Sequence, residues 1–383
     1  MMSMKRTIAT SMVAALCLAS KLPQLRAEPA LVHAGDISAQ ADILGTGLEH
    51  PWGLAFLPNG DALVTERPGR LRILSDRQLS EPVAGLPEVS AKGQGGLLDI
   101  VLAPDFAISN LVYFSFSQPG DGGASTAVAR ARLDRDQRPA RLQDLEVIFS
   151  MKRKTETSLH FGSRLVFHPD GTLFVTTGDR GESQRAQDLR DHAGAVLRIN
   201  PDGSIPEDNP YFDGSLGQPE IWSKGHRNIQ GAVFDPVTGG LLTVEHGAKG
   251  GDEINRPEGG KNYGWPVISY GVNYSGTQIG IGTEATGYEQ PLFYWNPSIA
   301  PSGLAVYAGD MFPEWQGDLL VGSLKFELMS RLARNASGRI TTEERFLEGQ
   351  FGRIRDVKIA PDGSIWLLTD ESNGQIIRLS RAI

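Results

Sequence analysis

Short apolar runs recur along the chain, each interrupted by a Pro, Asp and Gly cluster and then resumed. Residues 160–181 show the unit most plainly, with Leu165, Val166 and Phe167, then Pro169, Asp170 and Gly171, then Leu173, Phe174 and Val175. Alternation around a turn of this composition predicts two strands and a tight hairpin. The unit recurs from residues 54, 100, 232, 304 and 357, which makes six loose copies at intervals of roughly 60 residues. Sustained helical periodicity is scarce, so an α/β fold is disfavoured. Repeated β units that cannot each bury two faces close most simply into a ring with one four-stranded blade per copy. The expectation is an all-β, six-bladed β-propeller whose long loops build a site on one face. A two-sheet sandwich is the alternative, and 383 residues is long for one. The stretch 247–287 exceeds a hairpin turn, and in a ring such insertions gather at one mouth.

A hairpin over residues 160–181 returns its ends to one edge and sets His160 beside Asp179. A carboxylate against an imidazole fixes its tautomer and supports the cation formed on taking a proton, as a general base requires. The plain alternative is a loop histidine and a turn aspartate. Other unusual clusters also flank copies of the unit. Gln94 lies in a glycine-rich run before the second; Gly225, His226, Arg227 and Asn228 precede the fourth, and residues 246–255 follow it. Lys325 and Phe326 follow the fifth, and Arg353 and Arg355 precede the sixth. In a propeller these junctions converge at one mouth of the central channel.

Charge sharpens this picture. The chain is acidic, with net charge -8, which argues against nucleic acid or an anionic membrane as partner. Arg227, Lys325, Arg353 and Arg355 gathered at one mouth select a small polyanion, although each alone reads as a solvated surface charge. Arg353 and Arg355 face the same way if they lie on a strand. The glycine-rich stretch 247–263, with Asp252 and Glu253, offers oxygen ligands suited to Ca2+ rather than zinc or a redox metal, without EF-hand spacing. His226 and His246 are the histidines that could be metal ligands, but they lack a paired helical spacing and are expected to be structural or to support site residues from behind. No Gly-x-Ser-x-Gly elbow occurs. Lys5 and Arg6, followed by an apolar run over residues 8–20, read as an export signal too short to span a bilayer. Cleavage near residue 27 leaves residues 28–383 as a single propeller domain. The only cysteine, Cys17, falls within the signal, so disulfides, thiolate metal sites and a cysteine nucleophile are excluded together.

In combination, residues 160–179, the Gly225 to Asn228 cluster, Arg353 with Arg355, residues 262–266 and residues 294–303 resemble the soluble quinoprotein glucose dehydrogenase and aldose sugar dehydrogenase family, whose cofactor is pyrroloquinoline quinone (PQQ). The resemblance runs from Pro51 to Asp370, and the last two motifs are shared with the monomeric bacterial aldose dehydrogenase branch. It implies a six-bladed propeller with PQQ and Ca2+ as cofactors. It also implies a periplasmic monomer without stable membrane insertion that oxidises an aldose at its anomeric carbon to the lactone and passes electrons to an external acceptor, a quinone or another. By the same resemblance His160 is the base, Asp179 orients it, and Arg227 stabilises the developing oxyanion. Arg227 and Asn228 contact the reacting side of the quinone. Gln94, Lys325, Phe326, Arg353 and Arg355 hold the cofactor's edge and carboxylates, and Tyr274 stacks near ring and substrate. The carbonyls of Gly247 and Ala248 ligate the Ca2+ that polarises the quinone, while Glu253 and the Tyr263 carbonyl ligate a second, structural Ca2+. Ala248 stands where the family often has proline; its carbonyl serves equally, with looser preorganisation. Two alternatives are a Ca2+-dependent hydrolase of lactones or esters and a non-catalytic binding propeller. The first needs several inward carboxylates and amides where the candidates here are mostly basic. The second predicts loss of His160 or the arginine pair, and both are present.

Overall fold

The Pro, Asp and Gly clusters do turn the chain between strands, and Leu165 pairs antiparallel with Val175 across the turn at residues 168–172. In the computed structural model, which describes residues 29–382, each of the six copies supplies the first two strands of one antiparallel sheet. Blade 1 runs through Pro51–Phe56, Ala62–Glu66, Arg70–Ser75 and Gln78–Leu79. Blade 2 comprises Leu97–Leu102, Leu111–Gly120, Gly123–Asp134 and Arg141–Ser150. Blade 3 comprises Leu165–Phe167, Leu173–Thr176, Ala195–Ile199 and Ile221–Lys224. Blade 4 comprises Ile229–Asp235, Gly240–Glu245, Asp252–Asn255 and Phe293–Trp295. Blade 5 comprises Pro301–Val306, Leu319–Ser323, Met329–Arg334 and Ile340–Phe346. Blade 6 holds Ile354–Ile359, Ile365–Thr369 and Gly374–Arg381, and the early strands Ile37–Leu48 and Ala30–Ala34 complete it. The chain thus closes its ring by pairing its beginning with its end, which hides an edge each would otherwise expose. The expected export signal and Cys17 lie outside the described residues.

Inner strands are buried on both faces because each blade packs against two neighbours, which is why their sequences read as near-continuous apolar runs. Apolar clusters fill all six interfaces between blades. The one between blades 6 and 1, for example, joins Leu44, Leu48 and Leu368 to Leu54 and Val64. The first strands of successive blades meet around the axis. Their centre is closed by Arg164, which is 2% exposed and pairs with Asp99 Oδ1 at 3.2 Å and Asp356 Oδ1 at 2.9 Å. The long insertion, residues 256–292, lies between the last two strands of blade 4 and returns toward blade 3, where Asn262 pairs with Lys224. Among the described residues no helix is long and apolar enough to cross a membrane.

Candidate active site

The hairpin of blade 3 brings its two ends together as the sequence requires. His160 Nδ1 lies 2.6 Å from Asp179 Oδ1, and both side chains are buried. Asp179 is fixed in turn, Oδ1 accepting from the Gly181 N–H (2.7 Å) and Oδ2 from Trp265 Nε1 (2.8 Å). His160 holds a left-handed backbone (φ 52°), a costly conformation for a residue with a side chain. Two contacts maintain it: its N–H donates to Gln94 Oε1 at 2.8 Å, and its backbone lies so close to Gly178 that a side chain there has no room. With Nδ1 engaged by the carboxylate, Nε2 is the ring nitrogen left for a ligand. Burial lowers the His160 pKa; the Asp179 hydrogen bond opposes this and the nearby Arg227 charge adds to it. Burial raises the Asp179 pKa, but its bond to His160 and the charge of Arg227 outweigh that and bring it below the ordinary value. The pair is therefore a neutral imidazole held by a carboxylate near neutral pH.

Arg227 adjoins this dyad, since its carbonyl accepts the Asp179 N–H at 2.8 Å. Its N–H donates to Glu245 Oε2 (2.6 Å) and its Nη1 to the Gly247 carbonyl (2.6 Å). Asn228 Oδ1 accepts from the N–H of Gly162 and from Gln230 Nε2, both at 3.2 Å, so it ties blade 4 to the strand entering blade 3.

A cavity of 360 Å3 at the channel mouth is lined from all six blades and their junctions by residues that include Trp52, Gln94, Phe161, Gln230, Arg353 and Arg355. That volume suits a small-molecule ligand. His160, Asp179, Arg227 and Asn228 lie outside that lining and are joined to it through Gln94, which holds the His160 N–H, and Gly162, whose N–H Asn228 accepts. Arg67, Arg353 and Arg355 face the cavity with Asp370 and Glu371, three cations to two acids and so a surplus of one positive charge. Asp370 Oδ2 is shared by Arg355 Nη2 at 2.6 Å and Arg353 Nη2 at 3.5 Å, which orients both guanidiniums. Burial lowers the Arg355 pKa while Asp370 supports its charge; arginine stays protonated regardless. His246 forms another part of the wall, its Nε2 2.7 Å from the Pro301 carbonyl, and burial followed by the Arg227 charge lowers its pKa to about 3.

A second polar cluster lies behind Arg227. His226, fully buried, places Nδ1 2.8 Å from Glu245 Oε1 and stacks its ring on Tyr263 at 4.7 Å. Asn255 Nδ2 donates to Glu245 Oε1 (3.0 Å) and Glu253 Oε2 (3.1 Å), while its own Oδ1 is buried with no partner among the described residues. Burial, then the neighbouring Glu245 charge, pushes the Glu253 pKa up to about 8. Two close carboxyl groups and an unpartnered amide oxygen form an environment that a hard cation relieves. Asp252 does not belong to it. Its oxygens accept from the N–H groups of Gly247 (2.8 Å), Ile299 (2.8 Å) and Ala300 (3.1 Å), so it anchors loop backbone.

The structure thus places Gln94, Arg353 and Arg355 on the cavity wall and His160, Asp179, Arg227 and Asn228 next to it, tied to the wall through Gln94 and Gly162, with Gly247 against Arg227 and buried Ala248 beside it. Glu253 and Tyr263 join the cluster behind. Lys325 is exposed next to the cavity-lining Leu324, its Nζ 4.9 Å from the centre of the half-exposed Phe326 ring. Tyr274 is 74% exposed on the insertion and does not line the cavity. Sequence reasoning missed His50, Trp52, Arg67, Gln230, Asp370 and Trp265. His50 Nδ1 sits 2.9 Å from Asp370 Oδ1, a second imidazole–carboxylate pair on the cavity wall. The channel carboxylates Asp99 and Asp356 are committed to Arg164, which removes the inward acids that a propeller hydrolase needs for its calcium.

Comparison with known proteins adds an independent finding. The family model described as Glucose / Sorbosone dehydrogenase matches residues 48–378. Over 374 residues the chain is 44% identical to the aldose sugar dehydrogenase YliI of Escherichia coli (strain K12), a match covering 96% of this chain and 97% of that protein. The crystal structure of the soluble aldose sugar dehydrogenase of Escherichia coli in its apo form superposes with a TM-score of 0.86 at 45% identity, covering 90% of this chain and 100% of that one. The PQQ-bound form of aldose sugar dehydrogenase from Streptomyces coelicolor gives a TM-score of 0.73 at 28% identity, covering 89% and 98%.

Proposed function

The chain belongs to the Glucose / Sorbosone dehydrogenase family of oxidoreductases, and we propose that it is a PQQ- and Ca2+-dependent aldose dehydrogenase with His160 as its base. The observation that carries this reading is the His160–Asp179 dyad beside Arg227 at the edge of an arginine-lined cavity. A tricarboxylate cofactor fits the surplus positive charge there, with Arg353 and Arg355 oriented by Asp370 toward its carboxylates and Lys325 at the rim. The likeness to the Streptomyces coelicolor enzyme, solved in its PQQ-bound form, supports the same cofactor. Gly247 and Ala248 are the backbone candidates for a Ca2+ at the quinone. Glu253, in its crowded buried carboxyl cluster, with the Tyr263 carbonyl is the candidate for a structural one. When bound, PQQ supplies a quinone able to accept hydride and Ca2+ supplies Lewis-acid polarisation.

The residues of the chain do the rest. His160 Nε2, neutral near pH 7 because burial disfavours its cation, takes the proton of the anomeric hydroxyl. Asp179, itself gripped by Trp265 and the Gly181 N–H, stabilises the imidazolium that results. Arg227, held by Glu245 and the Gly247 carbonyl, presents its charge to the oxygen on which negative charge develops. Gln94 and Asn228 fix the backbone on either side of the base, and the half-exposed Phe326 and the exposed Tyr274 are the aromatic groups that would meet substrate at the entrance. The product is the aldonolactone, and electrons leave to an external acceptor, a quinone or another. The basic start and apolar run over residues 5–20 support a periplasmic location for the mature enzyme, a monomer with residues 28–383 as one propeller.

Substitution of the base tests this reading. In His160→Ala reconstituted with PQQ and Ca2+, turnover of aldoses is lost while PQQ affinity, measured by equilibrium dialysis, stays within about threefold, less than one hydrogen bond's worth. Equal loss of both assigns His160 to cofactor binding and removes it as the base.

A further inference from the structure

Of the three guanidiniums that face the channel-mouth cavity, two are already paired. Arg355 donates Nη1 to Gln230 Oε1 (2.9 Å) and Nη2 to Asp370 Oδ2 (2.6 Å). Arg353 donates Nη1 to the Leu324 carbonyl (2.9 Å) and sets Nη2 3.5 Å from the same Asp370 oxygen. The other acid of the wall, Glu371, accepts the Arg353 N–H through Oε1 at 3.3 Å. Arg67 is different. Its Nη1 donates to the Gly93 carbonyl (2.6 Å), its Nε is buried with no partner among the described residues, and no carboxylate among them pairs with it. The surplus positive charge of the cavity therefore resides on Arg67.

The backbone of this residue is fixed on both sides. Arg67 follows the second strand of blade 1, its N–H donates to the His50 carbonyl (3.2 Å), and its carbonyl accepts the Leu97 N–H (3.1 Å). Gly96 (φ 144°) lies so close to the Arg67 carbonyl that a side chain there has no room. The guanidinium is thus set between His50, which bonds Asp370, and Gly93, next to the Gln94 that holds the His160 N–H. A site fixed before the ligand arrives lowers the ordering cost of binding. With Nη1 turned to Gly93, the unpaired edge is the one formed by Nε and Nη2, and such an edge takes a carboxylate through two parallel hydrogen bonds. A half-buried cation without a counter-ion is unfavourable until an anion meets it.

We propose that Arg67 is a ligand of the cofactor, taking one carboxylate of PQQ on its Nε–Nη2 edge while Arg353 and Arg355 take another. The cavity then selects a quinone that carries carboxylates at more than one point and discriminates against one that does not. Through Gly93 and Gln94 the same residue secures the loop that holds the His160 N–H, so cofactor and base share an anchor. The inference rests on the PQQ reading and adds to it a residue which that reading does not use.

The test measures PQQ affinity by equilibrium dialysis in saturating Ca2+ for the wild type, Arg67→Met and Arg67→Lys. Arg67→Met is expected to raise Kd about 10–100-fold, the loss of a charge-assisted hydrogen-bonded contact. Arg67→Lys keeps the charge without the fork, and its Kd is expected to fall between the two. A Kd for Arg67→Met within about threefold of the wild type overturns the assignment. Wild-type crystals grown with PQQ and Ca2+ give a readout independent of both variants. A PQQ carboxylate oxygen within hydrogen-bond distance of Arg67 Nε or Nη2 supports the assignment. A guanidinium with no ligand oxygen there overturns it, even where Arg67→Met binds weakly through a disturbed Gly93 loop. If the wild type itself binds no PQQ, the cofactor reading fails and this assignment falls with it; wild-type binding that Arg67→Met leaves unchanged overturns the assignment alone.

Discussion

At the residue scale the proposed chemistry turns on one ring nitrogen. His160 Nε2 is available because Asp179 occupies Nδ1, and the ring is neutral because burial pushes its pKa below the ordinary value near 6.5. The activity of the reconstituted enzyme should therefore rise with pH along an acid limb centred below about 6.5 and be flat at neutrality. Asp179→Asn removes the group that raises the His160 pKa, so the limb shifts further to acid while kcat falls by about 10²–10⁴-fold. A kcat that follows only the folded fraction, with the limb unmoved, contradicts a positioning role for Asp179. The dyad was legible in the sequence because 19 residues of hairpin with an unmistakable turn determine where both ends go. Trp265, which grips the same aspartate, was not, because it reaches Asp179 across 86 residues from an irregular insertion with no strand register to count along.

At the scale of the element, the repeated hairpin does more than pave the ring. Four copies carry an acid at or just past the end of their second strand, Glu66, Asp179, Glu245 and Asp370, and each binds a basic partner: Arg70 and Arg355 from strands of the same blade, and His160, His226 and His50 from segments that precede a blade's first strand. Aligning the copies by their strand ends exposes Asp370 from sequence alone, and with it the group that orients the arginine pair. The first strands add a charged hub. Arg164 of blade 3 joins Asp99 of blade 2 to Asp356 of blade 6, donates Nε to the Gln230 carbonyl of blade 4 (2.6 Å), and stacks on Trp52 at 4.1 Å beneath the cavity. Arg164→Met strips the shared cation from two buried carboxylates, leaving Asp356 only the more distant Lys358 Nζ (3.7 Å), and should cost about 3–5 kcal/mol in urea unfolding. A loss below about 1 kcal/mol means that the hub does not hold the blades together. No periodicity announces such a residue, since its partners lie on four other blades and only the closed ring assembles them.

At the scale of the whole molecule, closure is what the hairpin count could not specify. Six copies predict six blades, but the pairing of Ile37–Leu48 with Gly374–Arg381 joins segments more than 300 residues apart, and neither belongs to a repeat copy. That pairing buries Leu44, Leu48, Ile376 and Ile377 and joins the ring's first segment to its last. Deleting residues 30–48 should abolish the single cooperative thermal transition; an unaltered melting temperature contradicts the closure role. The closed ring in turn gathers junctions from every blade at one mouth, which makes a basic pocket out of an acidic chain. The most direct test of the quinoprotein assignment is a titration of metal-free protein with PQQ and Ca2+, following dye reduction with a panel of aldoses at each step. Saturable activity that requires both additions is the predicted result; the absence of PQQ binding at any Ca2+ concentration contradicts it.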